Sequence, residues 1–246
     1  MKILSIDTSS NICSVAILED KTVLKEINLE DGKTHSQNLM PMIQEIMDTL
    51  CISLNNIDLL SCSKGPGSFT GVRIGISTIK AFADVKEIPT IGVSSLETLA
   101  YNISEEGLIA PLIDAKNDQV YFGLFELQNG TYIKKIDYQA CHILDIFKFL
   151  ANFQTPITFV GDASSLHQDM ISQKLANQAK FAKPIQNKQS AASVGKVAFD
   201  KYMQGKAGTS NDLLPLYLRK SGAERMLEKK DDSQWIYKSN QWLSKT

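Results

Sequence analysis

The chain repeats one pattern of short strands at a fixed distance along its length. "ILSID", "ICSVAILE" and "TVLKEINL" near the start are followed later by "LIAPLID", "QVYFGLFE" and "TYIKKIDY". Asp7 and Asp114 each end a first strand, Glu19 and Glu126 each end a second, and both pairs are 107 residues apart. The shared order and spacing indicate an internal duplication, in which each copy begins with three antiparallel strands.

Helices alternate with strands after each set of three strands. We predict, in the first half, a helix at 36–50, a strand at 57–63, a helix at 69–85, a strand at 89–93 and a short helix from Ser95. We predict, in the second half, helices in "HILDIFKFLANF", "SSLHQDMISQKLA" and "SAASVGKVAFDKYMQ" and a strand in "TPITFVGD". This order predicts an α/β protein with two mixed β-sheets covered by helices.

The duplicated plan resembles the two tandem ribonuclease H-like lobes of the actin, heat-shock ATPase and sugar-kinase superfamily. We place the N-terminal lobe at 1–104 and the C-terminal lobe at 105–222, with a charged tail at 223–246. The helix at 190–205 is a candidate to pack back on the first lobe.

Composition narrows the classes of function. The chain has 246 residues, of which 43% are apolar and 22% charged, and its net charge is −1. The near-neutral balance does not favour nucleic-acid or membrane binding by the whole chain, although it leaves local basic patches open. No apolar run has the length of a signal peptide or a membrane span. The four cysteines lie in apolar runs, which favours buried, reduced thiols in a cytoplasmic protein.

The turns after the two first strands are poor nucleotide sites. The superfamily resemblance implies a turn of the form Asp-x-Gly-Thr/Ser that holds phosphate and magnesium. The turns here read "DTSSN" and "DAKND", without glycine, so their backbone is less free to approach a phosphate. We therefore favour the interpretation that Asp7 and Asp114 hydrogen-bond to their own turns.

The stretch "KGPGSFTGVRIG" from Lys64 to Gly75 feeds the helix at 69–85. It lacks the Lys-Ser or Lys-Thr pair of a Walker loop, and Ser68 is placed to cap the helix. Gly71 and Gly75 are four residues apart on one helix face, which permits close packing of another helix. We rank close helix packing ahead of anion binding at this helix N-terminus.

The helix at 36–50 carries more apolar surface than one buried face requires. Its stripe, which we expect to cover the sheet, consists of Leu39, Ile43, Ile46 and Leu50. Methionines outside this stripe widen the apolar surface: Met40, Met42 and Met47. Two interpretations stay open, a partner surface with adaptable methionines or a helix enclosed within its own domain.

The histidines give no sign of a metal site or a catalytic triad. His35, His142 and His167 are far apart, so no H-x-x-x-H pair exists, and no G-x-S-x-G motif is present. We predict no catalytic, cofactor-binding or metal-binding residue.

Five stretches together resemble the bacterial TsaB family, also called YeaZ. They are "ILSIDTSS", "GPGSFTGVRIG", "GVSSLETLA", "DAKNDQVYFGLF" and "LLPLYLRKSGAE", in that order between residue 1 and about 224. The resemblance implies a non-catalytic, scaffolding partner of the paralogue TsaD, which transfers threonylcarbamoyl to the adenosine beside the anticodon of transfer RNAs that read codons beginning with adenosine. It also implies binding of the ATPase TsaE, and contact with tRNA only through the complex.

The resemblance further implies that the first two long helices, 36–50 and 69–85, form the dimer contact. From these helices we predict an interface with TsaD, or with a second copy of this chain. It comprises Leu39, Met42, Ile43, Ile46, Met47, Gly71, Ile74, Gly75 and Thr78. The main alternative function is a self-sufficient kinase or ATPase of the same superfamily. A third hypothesis is a hydrolase that uses Asp114 or His35.

Overall fold

The computed structural model describes residues 1–219, so the tail predicted at 223–246 lies outside the described residues. The first half of the chain forms a five-stranded sheet of order β3-β2-β1-β4-β5. Its strands are β1 (Lys2–Asp7), β2 (Cys13–Glu19), β3 (Thr22–Leu29), β4 (Leu59–Ser63) and β5 (Thr90–Val93). β1, β2 and β3 pair antiparallel, whereas β4 pairs parallel with both β1 and β5.

The second half builds a second sheet on the same plan, of order β10-β9-β6-β7-β8. Its strands are β6 (Gly107–Asp114), β7 (Gln119–Gln128), β8 (Thr131–His142), β9 (Ile157–Val160) and β10 (Ala179–Phe181). β6, β7 and β8 pair antiparallel, and β9 pairs parallel with β6 and β10. The prediction of two tandem ribonuclease H-like lobes, each a mixed sheet covered by helices, is confirmed.

Among residues 1–219, seven α-helices cover the sheets. They are α1 (His35–Thr49), α2 (Phe69–Lys86), α3 (Ser95–Ala100), α4 (Ile146–Leu150), α5 (Asp162–Leu166), α6 (Gln168–Leu175) and α7 (Ala191–Met203). Ser68 caps α2, because its hydroxyl accepts a hydrogen bond from the Gly71 N–H. The single helix predicted in "SSLHQDMISQKLA" is wrong, since His167 has φ −109° and ψ 20° and separates α5 from α6.

The helices enclose three apolar clusters. α1 and α2 cover one face of the first sheet, and α7 covers its other face, although α7 follows all the strands of the second lobe in the chain. α4, α5 and α6 enclose the core of the second lobe. α3 belongs to the first half of the chain but contacts β6 and β7, so it links the two sheets.

The burial of the four cysteines agrees only in part with the prediction from sequence. Cys13 and Cys62 are buried and Cys141 is half-buried, but Cys51 is exposed just after α1, so the prediction of burial is wrong for that thiol.

Within residues 1–219, each helix is too short or too polar to span a lipid bilayer.

Candidate partner interface

The turn after β1 is closed around its own carboxylate. Asp7 is fully buried, and its Oδ1 accepts hydrogen bonds from the Ser9 N–H at 2.8 Å and the Ser9 hydroxyl at 2.7 Å. Burial raises the pKa of Asp7 to about 6, although the bonds from Ser9 partly oppose that rise. The interpretation that Asp7 bonds to its own turn is confirmed. Full burial leaves this carboxylate no access to a hydrated magnesium ion.

The glycines at the start of α2 pack directly on that turn. A Cβ atom on Gly71 would overlap the backbone oxygen of Thr8, and one on Gly75 would lie 2.5 Å from the Thr8 Oγ1. The Thr8 hydroxyl donates to the Gly71 carbonyl at 2.7 Å, and the Ser68 N–H donates to the Ser9 carbonyl at 2.8 Å. The backbone of α2 therefore covers the turn where the superfamily resemblance would place a phosphate.

This arrangement changes the role predicted for the glycine face. Gly71 and Gly75 do permit close packing, but in the described chain they pack against Thr8 and Ile6 of the same lobe. The close approach is mainly between a helix and a strand end, although a Cβ on Gly71 would also lie 3.1 Å from His35 Cδ2 at the start of α1. The reason is geometric, because the turn after β1 comes so close to α2 that a side chain at either position would collide with it.

The equivalent turn in the second lobe is occupied by a lysine. The Lys116 N–H donates to Asp114 Oδ1 at 2.8 Å, and the Lys116 ammonium lies 2.7 Å from Asp114 Oδ2. Partial burial raises the pKa of Asp114, but the hydrogen bonds and charge of Lys116 outweigh it, so this pKa lies below its usual value. The prediction of a turn-bonded carboxylate is confirmed here as well, and a magnesium ion would have to displace the lysine.

The histidines do not converge. His35 Nε2 lies 2.7 Å from the Ser10 carbonyl oxygen, and His142 accepts a hydrogen bond from the Leu144 N–H at 3.2 Å. His167 lies at the break between α5 and α6. Among residues 1–219, no three His, Cys, Asp or Glu side chains are close enough to hold a metal ion.

Six residues of the predicted interface are buried within the chain itself, namely the two glycines of α2 described above and four residues of α1. Leu39, Met42, Ile43 and Ile46 of α1 expose between 0 and 3% of their surface and lie in the core beneath the first sheet. Met42 therefore belongs to the buried stripe and not, as the sequence suggested, to the surface beside it. These α1 side chains cannot touch a partner while the lobe keeps this packing. Of the two interpretations of α1, a helix enclosed within its own domain therefore applies to them.

The other face of the same two helices keeps an apolar surface. Met40 exposes 50% and Val85 76% of their surface, whereas Met47, Ile74 and Phe82 are half-buried at the edge of the core. Ile74, Thr78, Phe82 and Val85 recur every three or four residues, so they share one face of α2. We call Met40, Met47, Ile74, Phe82 and Val85 the apolar band.

The apolar band overlaps the predicted interface only in part. Met47, Ile74 and Thr78 were predicted to lie there and do keep exposed surface. Phe82 and Val85 of the apolar band are not among the predicted interface residues, although the spacing that begins at Ile74 continues to Val85. A cavity of about 520 Å³ adjoins the band at the N-terminal ends of the two helices, where His35, Ser68 and Ile74 line it.

Known proteins match this chain over most of its length. A family model described as TsaD: tRNA N6-adenosine threonylcarbamoyltransferase matches residues 22–227. The tRNA threonylcarbamoyladenosine biosynthesis protein TsaB of Bacillus subtilis (strain 168) is 34% identical over 225 residues, which cover 91% of this chain and 96% of that protein. The chain belongs to the TsaB family. The TsaB protein of Escherichia coli (strain K12) is 40% identical over 136 residues, or 54% of this chain and 58% of that protein.

A solved structure has the same architecture as this TsaB-family chain. A crystal structure of a Pseudomonas aeruginosa protein, described as uncharacterized with similarity to peptidase YEAZ, gives a TM-score of 0.76 at 25% identity. The match covers 89% of this chain and 99% of the other. In this TsaB-family chain, α1 and α2 both lie inside the segment that matches the TsaD family model.

Proposed function

We propose that this TsaB-family chain is the non-catalytic partner subunit that binds and supports the TsaD paralogue. In that role it serves threonylcarbamoyl transfer to the adenosine beside the anticodon of tRNAs that read codons beginning with adenosine. The observation that carries the proposal is the apolar band on α1 and α2, since apolar surface on exposed helix faces is typical of protein interfaces. Two relatives are named as tRNA threonylcarbamoyladenosine biosynthesis proteins, which supports a role in this tRNA modification. Such a role places the chain in the cytoplasm.

The two turns support a non-catalytic role. Asp7 is buried beneath α2 and Asp114 is paired with Lys116, so neither carboxylate is free to hold the magnesium ion of a bound nucleotide. These contacts disfavour the self-sufficient kinase or ATPase. The bond of Asp114 to Lys116, and that of His35 Nε2 to the Ser10 carbonyl, also disfavour the hydrolase hypothesis, because both groups are engaged in local contacts.

The proposal includes two further contacts of the complex. We expect TsaE to bind the assembled pair, and we expect a free chain to use the apolar band for a homodimer when TsaD is absent. A shared surface makes the two dimers mutually exclusive, so added TsaD should dissociate the homodimer. The tRNA is engaged by the assembled complex.

Size-exclusion chromatography with light scattering tests the proposal. The chain is run alone and with TsaD of the same organism, and a peak at the heterodimer mass is the expected result. Val85→Glu places a charge in the apolar band and is expected to weaken the complex at least roughly tenfold. Leu166→Glu is the matched control, because Leu166 of α5 is 64% exposed but lies in the other lobe. Equal binding by both variants would contradict the interface, and no complex with the unaltered chain would contradict the function.

A further inference from the structure

The lysines of the second lobe are unevenly distributed along the chain. Between Asp169 and Asp200 there are five lysines and no acidic residue. Those lysines are Lys174, Lys180, Lys183, Lys188 and Lys196. The whole chain has a net charge of −1, so this local excess is balanced by acidic residues elsewhere and does not appear in the total charge.

Most other lysines of the second lobe form ion pairs, whereas three exposed lysines among these five do not within residues 1–219. Lys116, Lys135 and Lys148 lie 2.7 to 3.0 Å from a carboxylate oxygen, and Lys134 pairs with Asp137. Lys174, Lys180 and Lys183 are exposed, and none of them forms an ion pair with any carboxylate among residues 1–219. We call Lys174, Lys180 and Lys183 the lysine edge.

The fold places the lysine edge along one border of the second sheet. Lys174 lies in the last turn of α6, Lys180 in β10, and Lys183 directly after β10. β10 is the outermost strand, and α6 packs beside it. Ala179 and Phe181 are packed against the core, so the alternation of a strand directs Lys180 away from it. Lys188, further on, pairs with Glu30 of the first lobe at 3.2 Å and is not counted in the edge.

Protection against aggregation explains only part of this arrangement. A lysine on an edge strand discourages pairing with another chain, and Lys180 alone would serve that purpose in a strand of three residues. Lys174 and Lys183 lie outside the strand, where they block no edge. Three ammonium groups on adjoining elements, none of them ion-paired within residues 1–219, therefore need another explanation.

We propose that the lysine edge contacts the phosphate backbone of tRNA in the assembled complex. The inference rests on the proposed function, since it assigns one surface of this chain to the RNA of the same reaction. Lysine is depleted at protein–protein interfaces. Lysines that are not already ion-paired can instead bind nucleic-acid phosphates, and this binding releases the counterions condensed on the phosphates. Phe181, which lies between Lys180 and Lys183 in the chain, packs against the core with its ring centroid 6.0 Å from that of Phe159. The edge therefore offers no ring for base stacking, and its contacts position the RNA without reading its sequence.

The test measures how tRNA binding depends on salt. The complex of this chain with TsaD is titrated against fluorescently labelled, unmodified tRNA at several salt concentrations. The variant carries Lys174→Gln, Lys180→Gln and Lys183→Gln. The control carries Lys2→Gln, Lys135→Gln and Lys148→Gln, which remove the same charge from lysines that are ion-paired in the structure. Size-exclusion chromatography of each complex is run beside the titrations to measure assembly.

The variant is expected to bind tRNA more weakly and with a flatter salt dependence. Each lost phosphate contact lowers the slope of log affinity against log salt by about 0.7–0.9, so three contacts lower it by roughly 2–3. The control should keep the slope of the unaltered complex. An unchanged slope and affinity in the variant, with assembly intact, would overturn the inference and leave the proposed function standing.

Two other outcomes also count against the inference. Loss of assembly with TsaD or TsaE in the lysine variant, with tRNA binding by the assembled fraction unchanged, would assign the edge to a protein partner. Failure of the unaltered chain to assemble with TsaD would contradict the proposed function itself, and the inference with it.

Discussion

Asp7 and Asp114 accept the same hydrogen bond in the two lobes, each from the backbone N–H two residues further along the chain and each at 2.8 Å. Their surroundings differ, because Asp7 is enclosed beneath α2 while Asp114 faces an exposed lysine. The duplicated turn has thus kept its backbone geometry, and its two carboxylates have acquired opposite shifts in pKa.

The buried Asp7 predicts a pH-dependent stability. Its pKa is about 6 in the folded chain and 3.8 ordinarily, so between these values the unfolded chain loses a proton that the folded chain retains. The free energy of unfolding should fall by roughly 3 kcal/mol as the pH rises from about 4 to above 6. Asp7→Asn should remove this fall, because an amide does not titrate in this range.

Urea denaturation at pH 4.5 and pH 7.5 measures this difference. Asp169→Asn, on the exposed start of α6, is the control and should follow the unaltered chain. If the free energy of unfolding of Asp7→Asn changes with pH as much as that of the unaltered chain, another group is responsible for the pH dependence.

Gly71→Ala tests the packing of α2 on the first turn. The new Cβ would meet the Thr8 carbonyl oxygen and lie 3.1 Å from His35 Cδ2, so the helix must shift. Overpacking of this kind costs about 1–3 kcal/mol, and thermal unfolding followed by circular dichroism should record it. Ser77→Ala, on the exposed side of the same helix, should change the free energy of unfolding by less than about 0.5 kcal/mol. Equal free energies of unfolding for the two variants would mean that the turn after β1 can shift at little energetic cost.

Ile46→Ala and Met40→Ala should separate the two faces of α1. Ile46 is fully buried, so its truncation should cost roughly 2–5 kcal/mol of stability. Met40 is 50% exposed, and its truncation should leave stability nearly unchanged while weakening the complex with TsaD. Chemical denaturation and a binding titration on both variants provide the comparison. A stable Met40→Ala chain that binds TsaD with unchanged affinity would remove Met40 from the apolar band.

Tyr132→Leu tests the junction between the lobes. The Tyr132 ring stacks on Tyr101 with centroids 3.8 Å apart, and its hydroxyl donates to the Ile103 carbonyl at 2.6 Å. Loss of the hydrogen bond and the stack should destabilise the chain by roughly 1–3 kcal/mol. Tyr202→Leu, at an exposed position on α7, is the control in the same thermal unfolding experiment. Two equal melting temperatures would show that the stack contributes nothing to stability.

The duplicated plan could be predicted because strands and turns leave a local signal. Short β-rich runs with tight connections identified β1, β2, β6 and β7, and the spacing of 107 residues revealed the common order. From sequence, the helix at 190–205 is a candidate to pack on the first lobe, and α7 does cover the first sheet. Its sequence pattern alone could not decide this, since a helix pattern indicates which face is apolar and not which sheet that face covers. The break at His167 was missed for a related reason, because "SSLHQDMISQKLA" has neither proline nor glycine to mark it.

The surface of α1 and α2 was predicted only in part for a physical reason. Gly71 and Gly75 define a smooth face, but periodicity cannot say whether a helix or a strand end covers it. Met42 stands three residues after Leu39 and four before Ile46, so the same spacing that buries its neighbours also buries Met42. Burial decides which apolar residues remain for a partner, and burial depends on the rest of the lobe.

The position of α7 has a consequence for the order of folding. α7 covers one face of the first sheet, yet its residues follow both sheets in the chain. The N-terminal sheet can therefore bury its second face only after the ribosome has released α7, and with it the whole of the second sheet. The first lobe cannot complete its folding before the second sheet has been synthesised, and the long-range contacts of α7 make the two halves fold as one cooperative unit.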